Sequence, residues 1–228
     1  MDHPIFTESI RLIRLALADP QAPEAWRQAA QRWADGPPRD VLERCIHSSG
    51  DLAIAPDLVI SADACALGIQ ALALGAPILT DTAMAAAAVR PMAGRTFGNP
   101  VRSLLEWAPL QAPAGDTRTA AAVQLAWQEL TAQGPAPVVL IGSAPTALER
   151  LLALVAHAAA PAAAPPPALV IGMPVGFVGV AESKRRLATS GLAQIRLEGS
   201  KGGAGLVAAA CNALLRAAWL QAANAPRV

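Results

Sequence analysis

Short unbroken apolar runs alternate with alanine-rich stretches of helical period along most of the chain. "APILTD" (76–81), "PVVLIG" (137–142) and "ALVIG" (168–172) each hold consecutive apolar residues before a turn, and "AQIRLEG" (193–199) also reads as a strand. Either "LAIAP" or "DLVIS", near residue 55, supplies one more such run. Continuous rather than alternating hydrophobicity marks strands buried on both faces, as in a parallel sheet with helices on either side. Helical patterns fill the intervals at 62–74, 82–89, 117–132, 145–160 and 204–223. This βαβ alternation predicts an α/β fold of three layers, α/β/α, with a mostly parallel, doubly wound sheet. The first 45 residues read as helices instead. Ile10, Ile13, Arg14 and Leu17 recur at helical spacing, as do Trp26, Arg27, Ala30 and Trp33 before the "DGPPRD" break. A third helix is expected from about Arg39 to Ser48. The whole of 1–228 reads as one domain with the N-terminal helices packed on it. The Pro/Ala stretch 159–167 is expected to be a linker inside that domain, because strands flank it on both sides.

Composition narrows the function. With 228 residues, 54% hydrophobic and 15% charged, the chain can bury a large core. A net charge of +1, with acids and bases mixed along the chain, gives no reason to expect nucleic acid or a membrane surface as partner. Residues 151–181 lack Asp, Glu, Lys and Arg, but Pro161, Pro165, Pro166, Pro167 and Pro174 interrupt them, so they predict helix, linker and buried strand rather than a membrane span. The N-terminal stretch does not read as a signal peptide. Cys45, Cys65 and Cys211 form no CxxC pair, which argues against zinc and a disulfide framework and fits a reducing cytoplasm.

The polar residues gather at predicted strand ends: "TDT" (80–82), "GSAPT" (142–146), "GMPVGFVG" (172–179) and "EGSKGG" (198–203). Ligands of open α/β sheets bind there, beside helix N-termini. The chain has sixteen arginines and two lysines, and both lysines, Lys184 and Lys201, follow such loops. Lys201 opens the last helix, where free N–H groups also favour an anion. Arg118 stands at a predicted helix start and has two readings: a solvated surface arginine, the commoner case, or a ligand clamp, towards which it leans because the dipole gives it nothing there. The glycines of 172–179 have two readings: a tight strand exit, or a loop bringing backbone amides close to a ligand. "GSKGG" is neither a P-loop nor GxGxxG, so a phosphate- or nucleotide-binding module is poorly supported. Of His3, His47 and His157, His47 is the candidate for chemistry, because it ends a helix pattern just before "SSG". Pattern alone leaves open whether it is a packed structural residue or a group projected into a cleft. No nucleophile–base–acid triad or telling carboxylate pair is recognisable.

"IGSAPTALERLL", "GMPVGFVGVAESK" and "GSKGGAGLVAAACNALL", in that order, closely resemble the precorrin-8X (cobalt-precorrin-8) methylmutases. "ERCIHSSGD", "LGAPILTDTAM" and "GDTRTAAA" match further blocks of that family, and the likeness runs from "FTESIRLIR" to "NALL". The resemblance implies a cofactor-free, metal-free isomerase of corrin biosynthesis. Such enzymes move a methyl group from C-11 to C-12 of a macrocycle bearing many carboxylates, by a 1,5-sigmatropic shift, to give hydrogenobyrinic acid or its cobalt-containing counterpart. It implies that His47 protonates or hydrogen-bonds the ring-C nitrogen, a role imidazole suits near neutral pH. It places substrate contacts at Thr80 and Asp81; Thr117 and Arg118; Ser143, Ala144, Pro145 and Thr146; Gly172, Met173, Pro174 and Gly176; and Lys201, Gly202 and Gly203. It also implies a cytoplasmic homodimer with sites near the subunit interface.

The chain departs from the family pattern near these positions. "HSSGD" puts Asp51 where an apolar or small residue is common; it would either pair with His47 or repel a substrate carboxylate. Thr80 and Ala83 replace a cysteine and a glutamate, Ser143 replaces an asparagine, and Phe6 stands for a tyrosine. The alternative these departures raise is a catalytically impaired paralogue that binds or hands on a corrinoid.

Overall fold

The computed structural model describes residues 3–33, 35–132, 134–157 and 165–224. Three helices lead: α1 (Pro4–Ala18), α2 (Glu24–Arg32) and α3 (Gly36–Ser49). Then β1 (Leu58–Ile60), α4 (Ala64–Ala73), β2 (Ile78–Thr80), α5 (Ala83–Arg95), β3 (Val101–Ser103) and α6 (Arg118–Thr131) follow. The chain finishes with β4 (Val138–Ile141), α7 (Pro145–His157), β5 (Leu169–Gly172), α8 (Val180–Ala188), β6 (Gln194–Leu197) and α9 (Ala204–Asn224). The strands form one sheet in the order β1-β6-β5-β4-β2-β3, with β1 antiparallel to β6 and every other pair parallel. The predicted fold class is the observed one.

Each apolar run serves two cores because successive side chains of a strand point to opposite faces. Ile78, Val138, Leu140, Leu169, Ile171 and Ile195 pack with residues of α3, α4, α5 and α9 on one face. Leu79, Val139, Ile141 and Val170 pack on the other with Val123 and Trp127 of α6, Leu148 and Leu151 of α7, and Leu187 of α8. Helix α9 is long and apolar enough to cross a membrane by length alone, but 61% of its most apolar window is buried inside the protein. It is the central core helix.

Several boundaries differ from the sequence expectation. Of the two candidates near residue 55, "DLVIS" forms β1, while Leu52–Ile54 is a 3₁₀ turn. Edge strand β3 and helix α8 were not expected. The pattern of α8 (Val180, Ser183, Lys184 and Leu187 buried at helical spacing) is hidden because two of its four buried positions are polar. Helix α5 runs through Pro91 to Arg95, since Met92 and Ala93 are buried beyond the proline. The last residues of the 145–160 helix pattern, and most of the expected 159–167 linker, lie outside the described residues.

The N-terminal helices are fastened by charge. Glu43 of α3 is buried and receives Nε (2.7 Å) and Nη2 (2.9 Å) of Arg14 on α1, together with Arg39 of α3 itself. Arg39 also donates to the Ala30 carbonyl of α2 (2.9 Å). Removing one partner of such a buried cluster would strand a charge, so the cluster fixes how α1, α2 and α3 meet. That geometry sets where the C-terminal end of α3 points.

Candidate functional site

The loops leaving β4, β5 and β6 are knitted to one another by their backbones. Met173 N–H donates to the Ile141 carbonyl (2.9 Å), Val175 N–H to Gly142 (3.1 Å), Gly176 N–H to Ser200 (3.0 Å) and Gly203 N–H to Met173 (2.9 Å). Close approach explains the glycines here. A Cβ on Gly142 would lie 2.8 Å from the Ala204 nitrogen, and one on Gly202 would overlap the Met173 carbonyl oxygen. The "GMPVGFVG" glycine loop therefore spends several of its amides on neighbouring loops.

Lys184, on α8, belongs to the same frame. Its side chain is fully buried, and Nζ donates to the Gly199 (2.8 Å) and Lys201 (2.7 Å) carbonyls. Burial pulls its pKa down from 10.5 to about 8, against the opposing pull of Glu198 and Asp57. One of the two lysines thus holds the loop that carries the other.

The parallel strands run β3-β2-β4-β5-β6, the 2-1-3-4-5 order of a doubly wound sheet, so the strand order reverses between β2 and β4. A ligand is ordinarily sought in the crevice at that reversal. Here the protein fills it. Asp81, fully buried after β2, accepts at Oδ2 from the N–H groups of Gly142 (3.0 Å), Ser143 (2.6 Å) and Ala144 (2.8 Å) at the start of α7. Oδ1 has no partner in the structure. Burial raises the Asp81 pKa, with the three N–H donors pulling the other way. This carboxylate occupies the position an anionic ligand would take, so the open surface lies to either side of the reversal.

His47 lies on one such side, exposed in the last turn of α3, which ends at Gly50 in the left-handed conformation (φ 66°). Its Nδ1 is 2.7 Å from the Ser9 hydroxyl of α1, and Phe6 meets the ring edge-on at 5.0 Å. The Arg44 guanidinium covers Phe6 at 4.7 Å. A groove of about 260 Å³ runs past His47 between Ser9, Leu12, Ile13 and Ala16 of α1 and Ile46, Gly50 and Leu52. Asp51 does not turn to His47. Its Oδ1 accepts from Ala53 N–H (2.8 Å), capping the 3₁₀ turn, and its Oδ2 accepts from Lys201 Nζ (2.6 Å). The Lys201 hydrogen bond and charge hold the Asp51 carboxyl below its ordinary value.

The predicted site residues other than Gly176 fall into three groups. His47, Lys201, Gly202 and Gly203 come together where the end of α3 meets the entry to α9; a Cβ on Gly205 would lie 3.8 Å from the Ser48 hydroxyl. Thr117, which caps α6, joins exposed Thr146 hydroxyl to hydroxyl (2.7 Å), while exposed Arg118 donates to the Pro109 carbonyl (2.8 Å). These form a second cluster with half-buried Ser143, Ala144 and Pro145. Gly176 is half-buried. Thr80, Asp81, Gly172, Met173 and Pro174 are buried and shape the frame from beneath the surface. Thr80 donates to the Thr82 carbonyl (2.9 Å), so the cysteine-to-threonine departure is absorbed locally. Next to the glycine frame Phe177 and Val178 stand out, 93% and 89% exposed, with Val175 of the same loop and Met84 in the first turn of α5 also exposed.

Sequence reasoning missed Ser9 because a serine in an amphipathic helix has no distinguishing neighbours; only its place 38 residues before His47 in a folded corner reveals it. Among the described residues no cluster of three His, Cys, Asp or Glu could hold a metal ion.

Comparison with known proteins agrees with this architecture. Residues 4–217 match the family model described as precorrin-8X methylmutase. A Synechocystis protein named cobalt-precorrin-8 methylmutase is 35% identical over 96% of this chain and 97% of its own length. A Pseudomonas aeruginosa precorrin-8X methylmutase is 42% identical over 75% of this chain and 80% of its own. The solved precorrin-8X methylmutase of Thermus thermophilus superposes with a TM-score of 0.74 at 35% identity, covering 95% of this chain and 98% of that one.

Proposed function

The chain belongs to the precorrin-8X methylmutase family, and from that premise we propose that His47 is the acid of its reaction, acting through Nε2. The protein is an isomerase of cobalamin biosynthesis that moves a methyl group from C-11 to C-12 of the corrin macrocycle. The migrating methyl carries its bonding pair: the C-11 bond breaks as the C-12 bond forms, with no leaving group and no change of oxidation state. The chain's own task is to hold the macrocycle and to draw electron density towards the ring-C nitrogen. A positioned proton donor does that and contributes roughly 10²–10⁴-fold in such roles.

The observation that carries this reading is the 2.7 Å contact between Ser9 and His47 Nδ1. A hydroxyl both donates and accepts. When the imidazole is neutral, the Ser9 O–H can donate to Nδ1, which leaves the ring hydrogen on Nε2. When it is protonated, Nδ1–H donates to Ser9 and Nε2 still carries hydrogen. Serine therefore allows Nε2 to be a donor in both states, whereas a carboxylate at Nδ1 would draw the neutral ring's hydrogen away from it. Phe6 packs against the ring and holds its orientation.

In this reading Lys201, Arg118 and the loop amides receive the substrate's carboxylates, and the exposed Phe177 and Val178 meet the apolar faces of the macrocycle. The outward stripe of α1, with Ile5, Leu12 and Leu15 exposed, supports a homodimer, and it flanks the His47 groove. The three unpaired cysteines fit a cytoplasmic setting. The test is an absorbance assay of the protein and of His47→Ala with precorrin-8X and with cobalt-precorrin-8. Conversion by the wild type alone supports the assignment. Equal conversion by both would remove His47 from the mechanism, and equal tight binding with no conversion of either substrate would make the chain a corrinoid carrier.

A further inference from the structure

Lys201 is the one lysine whose ammonium faces solvent, and it is already engaged. Its Nζ lies 2.6 Å from Asp51 Oδ2, with the two side chains 44% and 38% exposed. The pair is therefore a rim contact, open enough for solvent or a ligand to compete for it. Asp51 is held ready for that position from both ends. Its backbone N–H donates to the Ser49 hydroxyl (3.2 Å) and its Oδ1 caps the turn at Ala53, so Oδ2 points at Lys201 with little freedom left to lose.

We propose that Asp51 tunes affinity: it is a built-in competitor that occupies Lys201 in the free enzyme and weakens its hold on a carboxylate of the macrocycle rim. This rests on the reading of Lys201 as a substrate contact. The charge arithmetic is simple. A lone ammonium presents +1 to an approaching carboxylate, whereas the Lys201–Asp51 pair presents zero net charge and places a like charge beside the newcomer. A substrate carboxylate must then share the ammonium's two remaining N–H donors or displace Asp51 from the third. Because substrate and product carry the same rim carboxylates, the effect applies to both and favours release of the product. The lysine's placement makes the competition local. Its backbone carbonyl is pinned by buried Lys184, so the ammonium swings on its side chain alone.

The test is an absorbance titration with the reaction product, hydrogenobyrinic acid, using wild type, Asp51→Asn and Asp51→Ser. Both variants keep an oxygen to cap Ala53 and remove the charge, and thermal melts show that each is folded. Each should bind product ~2–5-fold more tightly at low ionic strength, the scale of an exposed ion pair, with the gain fading in high salt. The KM for precorrin-8X should fall by a similar factor. Unchanged or weaker binding by both folded variants, beside normal binding by wild type, overturns the competitor role and leaves Asp51 a turn cap. Failure of wild type to bind the product at all would instead sink the corrin-site reading, and the proposal with it. A Lys201→Met variant separates the routes: if Asp51→Asn tightens binding just as much on that background, Asp51 repels substrate directly and does not act through Lys201.

Discussion

Two corners of this molecule each put an aspartate in front of a group that attracts anions, with opposite consequences. Between β2 and β4, Asp81 lies fully buried on three backbone N–H groups. Where α3 meets α9, Asp51 lies half-exposed on the solvent-facing ammonium of Lys201. The first carboxylate cannot leave without exposing a nest of amides to an apolar interior, so it is architecture. The second faces water and gives way to a ligand at small cost. Burial decides which is structure and which is competitor. It also bears on where a ligand can reach: the crevice favoured by the sheet topology holds Asp81, and the proposed site lies instead at the corner built from α1, α3 and the entry of α9.

Substitutions in the two corners should separate rate from stability. The largest effect is expected from His47→Ala, which should lower kcat by about 10²–10⁴-fold while leaving the melting temperature near that of wild type. Steady-state rates and a thermal melt check both halves, and a large loss of stability would break the distinction. Asp81→Ala should do the reverse, stranding three N–H groups at the start of α7 and costing about 2–4 kcal/mol in denaturant unfolding. Asp81→Asn keeps an acceptor and should cost less.

Lys184→Met should cost a further, smaller amount, about 1–2 kcal/mol, because two loop carbonyls lose their donor while a buried charge is relieved. It also carries a pH signature. The folded pKa, about 8, lies below the ordinary 10.5, so between these values the unfolded chain binds more protons and the wild type gains stability as pH rises. Burial of Cys45, Cys65 and Cys211 pushes their thiols up to about 12, and this pulls stability the other way above pH ~9. The thiols are common to both proteins, so the difference in stability between wild type and Lys184→Met should widen in favour of wild type from pH ~8 upward. A flat difference would mean that the lysine is not buried as charge. The smallest expected effect is from Ser9→Ala, about three- to tenfold in kcat with little change in KM, since one neutral hydrogen bond orients His47.

The sequence carried some of these distinctions and hid others. Helix α6 and its start at Arg118 were legible because Thr117 is a strong cap before an alanine-rich run. The strands β2, β4 and β5 were legible because each buries both faces and needs consecutive apolar residues, while β6 was legible although polar Gln194 and Arg196 interleave its Ile195 and Leu197. Strand β3, "VRS" at the sheet edge, has no such requirement and left no run to find. Asp81 and Lys201 both looked like surface ligands in polar strand-end loops. Nothing local separates a carboxylate that will be sealed from one that will stay wet.

What the sequence determined by itself was the order of layers, the glycine-dense loops and the family blocks, because periodicity, turn chemistry and block spacing are properties of neighbouring residues. Only the tertiary structure decided which charges are partners. Asp51 meets Lys201 across 150 positions and Ser9 meets His47 across 38, distances over which no local pattern acts. It also decided that one of two lysines is buried frame and the other open rim. That choice depends on which helix covers which loop once both cores have closed, and so on packing.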